Sequence, residues 1–100
     1  MPTQFHFAAP LTQPGSMVNA IVPAAGASET LTATASNQQT TITAAVGQSL
    51  CRVATDVAVY VEFGASPDAT SNAGGRVMVT AGAIEYFGVS VGDKAAVVTA

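Results

Sequence analysis

From Cys51 to Phe63 the chain alternates strictly. The odd positions read Cys51, Val53, Thr55, Val57, Val59, Val61 and Phe63, and the even positions read Arg52, Ala54, Asp56, Ala58, Tyr60 and Glu62. Side chains two apart share a face of a β-strand, so one face here is apolar and the other carries the charges. No helix can hold that division. The run is about two ordinary strand lengths, which predicts a bend near Thr55-Asp56.

The rest of the chain is consistent with strands. Leu31 and Ala33 alternate with Thr30, Thr32 and Thr34, and Ile42, Ala44 and Val46 alternate with Thr41 and Thr43. Turn chemistry at Ser36-Asn37 between them suggests that Glu29–Thr34 and Thr40–Val46 form a hairpin. After a loop of small and polar residues from Gly64 to Gly75 come segments 76–80, 83–91 and 94–100. They are separated by turns at Ala81-Gly82 and Gly92-Asp93. The 20 Ala stand among 13 Val and 12 Thr and not at helical spacing. Eight or nine short strands at this spacing predict an all-β chain, a small antiparallel β-sandwich or jelly-roll-like barrel.

Residues 1–27 differ from the rest. They carry no Asp, Glu, Lys or Arg and are punctuated by Pro2, Pro10, Pro14 and Pro23. Proline removes a ladder donor, so strands here are expected to be short or at an edge. Gln4–Ala8 alternates weakly, with Phe5 and Phe7 on one face, and Met17–Val22 is a second candidate strand. The expected division is an extended N-terminal arm or edge strand over 1–27 and an antiparallel β domain over 28–100. On that division the body folds without the arm.

The chemistry-bearing residues are few. His6 and Cys51 each occur once. That excludes a multi-cysteine zinc site and a disulfide framework, and it leaves a His-based triad without an evident constellation. Cys51 reads as a small buried hydrophobe, and His6, between two Phe, as a strand histidine with a partly packed ring. Asp56 and Glu62 share a face but lie about 20 Å apart along a straight strand, too far for a paired-carboxylate hydrolase. Asp68 to Asn72 reads as a turn, since it lacks the acidic density of a calcium loop. Ala73-Gly74-Gly75 lacks the Lys of a phosphate loop. The chain is expected to be non-enzymatic, with no cofactor and no metal.

A net charge of −3 with three basic residues argues against a nucleic-acid partner. The longest apolar stretch, Val57 to Val61, is far too short for a membrane span. The opening Met-Pro-Thr-Gln-Phe-His-Phe lacks the basic and apolar regions of a secretory signal, so synthesis in a cytoplasm is expected. Charged residues make up only 9% of the chain. A surface so poor in charge suits one covered by neighbours. The candidate interface residues are Phe5 and Phe7 on the arm, together with Arg52, Tyr60, Arg76, Glu85 and Tyr86. Arg52 or Arg76 is positioned to pair with Glu85 across neighbouring strands.

Two stretches carry a resemblance. Gly47-Gln-Ser-Leu-Cys-Arg-Val-Ala-Thr-Asp-Val-Ala-Val-Tyr-Val-Glu-Phe-Gly64 runs on into Ala-Ser-Pro-Asp-Ala-Thr70. Ala81-Gly-Ala-Ile-Glu-Tyr-Phe-Gly-Val-Ser-Val-Gly-Asp-Lys-Ala-Ala-Val-Val98 is the second. They resemble small virion proteins of tailed bacteriophages over residues 40–100, in strand ends and turns and not in catalytic motifs. The resemblance implies a capsid cement or decoration protein on the virion surface, made in the host cytoplasm. Its partners would be the major capsid protein and itself, as a homodimer or homotrimer. The alternatives are a tail, neck or head-fibre component, or a small glycan- or ligand-binding β module using Tyr60, Tyr86 and the Gly64–Gly75 loop.

Overall fold

A computed structural model describes residues 2–11, 20–71 and 75–100. Its strands are β1 (Pro2–Leu11), β2 (Ala20–Thr32), β3 (Gln38–Gln39), β4 (Leu50–Thr55), β5 (Val59–Gly64), β6 (Val77–Val79), β7 (Ile84–Gly88) and β8 (Lys94–Thr99). No helix occurs among the described residues. Two four-stranded antiparallel sheets run in the orders β2-β1-β4-β7 and β3-β8-β5-β6. They form a small β-sandwich.

The alternation over 51–63 becomes two strands with a change of sheet between them. Cys51 and Val53 line the inner face of one sheet, and Val59 and Val61 that of the other, all buried. The bend falls where Thr55 turns its hydroxyl back to the Val57 carbonyl at 2.8 Å. Phe5 and Phe7 fill the space between the sheets with Val79, Val97 and Ala95. Among the described residues the buried polar side chains are all threonines. Thr3 and Thr55 share a hydroxyl–hydroxyl bond of 3.0 Å, and Thr40 Oγ1 donates to the Ile42 carbonyl and accepts from the Ala95 N–H. Each therefore keeps the hydrogen bond that burial would otherwise remove.

The N-terminal segment is not the expected arm. β1 lies inside its sheet, paired with β2 on one side and β4 on the other. Phe5 and Phe7 have no exposed surface. Two large aromatic rings at spacing two supply what a core otherwise built of Val and Ala lacks in volume, so the strand is drawn inward. The edge assignment holds only for β2, which flanks β1 at the margin of the sheet. Residues 17–19 of the second candidate strand lie outside the described residues, and 20–22 open β2. The ladder slips between Phe7, which faces Ala27, and Ala9, which faces Val22. Beside the slip Gly26 lies against β1. A Cβ there would come within 2.6 Å of the Phe7 carbonyl oxygen and closer still to His6 Nε2.

The hairpin expected at Ser36-Asn37 does not form. β2 pairs with β1 in one sheet and β3 with β8 in the other, so the linker crosses between layers. Residues 40–46 hold no ladder of their own. Period-2 alternation states that a segment has one buried face; it does not state which segment lies beside it. Glu29 closes the open margin of the sandwich at this point. Its Oε1 accepts the Thr41 N–H at 2.8 Å, the Thr41 hydroxyl at 2.9 Å and the Ile42 N–H at 3.1 Å. Across the fold, Phe63 and Phe87 meet with ring centroids 5.2 Å apart, joining β5 to β7.

Candidate interaction surface

Each sheet has an outer face, and they differ. On the β3-β8-β5-β6 sheet the loop after β5 folds back as a strap. Glu62 Oε2 accepts the Asp68 N–H at 2.8 Å. Asn37 grips the strap twice, donating to the Pro67 carbonyl at 3.1 Å and accepting from the Ala69 N–H at 2.9 Å, and Gln39 adds a bond to Pro67 at 2.9 Å. Ala69 is thereby pressed onto Ala96, Val98 and Tyr60 in a second small core. The Arg76 guanidinium lies 3.8 Å from the centre of the Tyr60 ring and donates to the Ala69 carbonyl at 3.3 Å. Tyr60 and Arg76 thus hold the strap, a cation–π contact worth about 0.5–1 kcal/mol at a wet site. Thr70 N–H and hydroxyl both bond Asp68, which holds that carboxyl below its ordinary range.

Among the described residues no strap covers the outer face of the β2-β1-β4-β7 sheet. Register places Gln4, Ala54 and Ile84 in one row and His6, Arg52 and Tyr86 in the next. Ile84 is 53% exposed and Tyr86 52%. Arg52 donates to Gln4 Oε1 at 3.4 Å. His6 Nδ1 bonds the Ser28 hydroxyl, while its Nε2 is buried without a partner among the described residues. The ring is packed, as its setting between two Phe suggests. Near the end of β4 a shallow cleft of about 360 Å³ opens, lined by Pro2, Gln4, Ala54, Asp56, Ala83 and Ile84 among others.

The candidate residues separate into three places. Phe5 and Phe7 are in the core and are no part of a surface. Tyr60 and Arg76 lie beneath and beside the strap of one sheet. Arg52 and Tyr86 face each other on the outer side of the opposite sheet. The pairing of Glu85 with Arg52 or Arg76 is not formed. Glu85 faces Val53 in register, which puts it on the other side of β7 from Arg52, and Arg76 belongs to the other sheet. An exposed carboxylate on the inward register of an edge strand resists pairing with a further strand. Tyr60 and Tyr86 stand on opposite outer faces, so they make no common platform with the Gly64–Gly75 loop; residues 72–74 of that loop lie outside the described residues.

The reading of single residues missed Ile84, Ala54 and Asp56. The signal for Ile84 was present, since it lies two positions before Tyr86 and so shares its face. Cys51 is fully buried, and burial pushes its thiol up to about 12. A thiol so placed stays protonated near neutrality and is not an activated nucleophile. Among the described residues no three His, Cys, Asp or Glu side chains gather as a metal site would require. No protein-family model, curated protein or solved structure matches the chain.

Proposed function

We propose that this chain is a non-enzymatic structural protein of a bacteriophage particle, a capsid cement or decoration protein that associates with itself and with the major capsid subunits. The observation that carries the reading is the outer face around Ile84 and Tyr86, which the described residues leave uncovered and which bears a shallow cleft. Such a face suits contact spread over area and multiplied by copy number. The phage-like strand ends and turns of residues 40–100 point the same way.

Strand order supports a jelly-roll topology within this reading. The ladders β1:β2, β3:β8, β4:β7 and β5:β6 are the successive rungs of one long antiparallel ribbon. Rolling that ribbon brings β1 against β4 and β8 against β5. Jelly rolls recur in viral capsids, although fold by itself fixes no function. Here β1 takes the place that a last strand after β8 would fill.

Quantitative mass spectrometry of purified particles tests the proposal. A fixed simple ratio of this chain to the major capsid subunit is the expected result. A handful of copies per particle would move the chain to the tail, neck or a head fibre, and complete absence would overturn the virion reading.

A further inference from the structure

Two turns of the same build stand side by side at one end of the sandwich. Residues 45–48 read Ala-Val-Gly-Gln and residues 90–93 read Ser-Val-Gly-Asp. Each closes from the last N–H to the first carbonyl, at 2.9 and 3.0 Å. Gly47 and Gly92 take φ of +86° and +90°, while no non-glycine residue among the described residues has positive φ, the pattern of a type II turn. In both, the last side chain bends back onto the first N–H, Gln48 Oε1 at 2.8 Å and Asp93 Oδ2 at 2.9 Å. Ala44 ties the turns together, bonding the Gly92 N–H at 2.8 Å and the Asp93 carbonyl at 2.9 Å. With these polar groups turned onto their own backbone, the tips present Val46, 89% exposed, and Val91, 64% exposed.

The opposite end of the same sandwich holds the cleft. β4 and β7 run from Leu50 and Gly88 beside the valine turns to Ala54 and Ile84 at the cleft. Its wall is largely apolar, with Asp56 among its lining residues. Lys94 follows directly on the second valine turn. Neither the Asp56 nor the Lys94 side chain has a hydrogen-bond or ion-pair partner among the described residues. One end therefore offers neighbouring apolar knobs beside a cation, and the other an apolar hollow beside an anion.

We propose that Val46 and Val91 of one copy seat in the Ala54–Ile84 cleft of a second copy, with Lys94 set toward Asp56. The contact is heterologous, so it leaves one knob end and one cleft end free and repeats until a ring closes or a chain runs on. It deepens the self-association in the proposed function and rests on that part of it. With Lys94 the one basic residue following these turns and a net charge of −3 on the chain, this end lacks the basic cluster that a lipid surface would draw on. A single contact of this size is weak, and closure of a ring multiplies it.

The test uses two variants of the full chain, Val46→Asp/Val91→Asp and Ile84→Arg, followed by sedimentation from micromolar to millimolar concentration. All the altered side chains are solvent-exposed, and circular dichroism checks that each variant is folded. The wild type is expected to grow beyond 9.9 kDa with concentration. Each variant is expected to remain monomeric. Their equimolar mixture is expected to form a heterodimer and stop there, because it holds one intact knob and one intact cleft per pair. The milder Val46→Ala/Val91→Ala is expected to weaken association roughly tenfold. Association of both variants as strong as wild type would overturn this contact and leave self-association standing. A mixture that stays monomeric would also overturn the contact. A wild type monomeric throughout would overturn the contact and the self-association together.

Discussion

Glu29 shows how much one side chain can hold in a sandwich of Ala, Val and Thr. It sits at the margin of one sheet, and its Oε1 collects three donors from Thr41 and Ile42, which have no ladder of their own. Hydrogen bonds to a charged acceptor contribute about 1.5–3 kcal/mol when well made, and less at a wet margin. Glu29→Ala is therefore expected to cost about 2 kcal/mol in urea unfolding. Glu29→Gln keeps an oxygen in the same place and is expected to lose less than half of that. Equal losses in the two variants would mean that the carboxylate charge, and not the acceptor geometry, closes the margin. Nothing in the sequence marks this role, because Glu29 and Thr41 are 12 positions apart and the hairpin that would have aligned them does not exist.

At the scale of elements, the decisive strand is β1. The prolines and the missing charge of residues 1–27 suggested a detachable arm, yet β1 is bonded on both sides and contributes both fully buried phenylalanines. Replacing one buried Phe by Ala typically costs about 3–5 kcal/mol. Removing two, with the ladders on both sides of their strand, costs as much as the roughly 5–15 kcal/mol that holds a small domain. A chain lacking residues 1–27 is expected to be unfolded by circular dichroism and amide NMR dispersion. A cooperative unfolding transition in it would show that β2 and β4 can close without β1. Apart from the Ser36-Asn37 hairpin and the 40–46 strand, the element reading from β4 onward held. The turns at Ala81-Gly82 and Gly92-Asp93 lie where the sequence puts them, with Gly82 and Gly92 at positive φ. The bend in the 51–63 run lies there too. These are local matters of φ and period, which neighbouring residues decide.

For the whole molecule, the ladder arrangement makes a concrete claim about connectivity. Pro2 faces Thr32, and the Thr99 N–H bonds the Thr34 carbonyl at 2.8 Å, so β1 begins near where β8 finishes. A permuted chain that starts at β2, runs to Ala100 and continues through a short Gly-Ser linker into β1 is expected to fold, with a stability within about 2 kcal/mol of the original. Loop closure over a few residues changes little more than that. An aggregated or molten permutant would mean that the β1:β2 connection is needed to set the register of the sheet.

The sequence by itself determined that the chain is all-β, where most of its strands and turns fall, and that 51–63 bends. It also put Arg52 on the charged side of its strand. Each of these follows from side-chain alternation and turn residues, which act over a few positions. Only the tertiary structure decided that β1 is central, that Tyr60 and Tyr86 face opposite ways, and that Glu85 meets neither arginine. It also decided that the two Val-Gly turns come together. The physical reason is the same in every case. A strand's period says which side of it is buried, but its neighbours are chosen by how all the segments together fill one core.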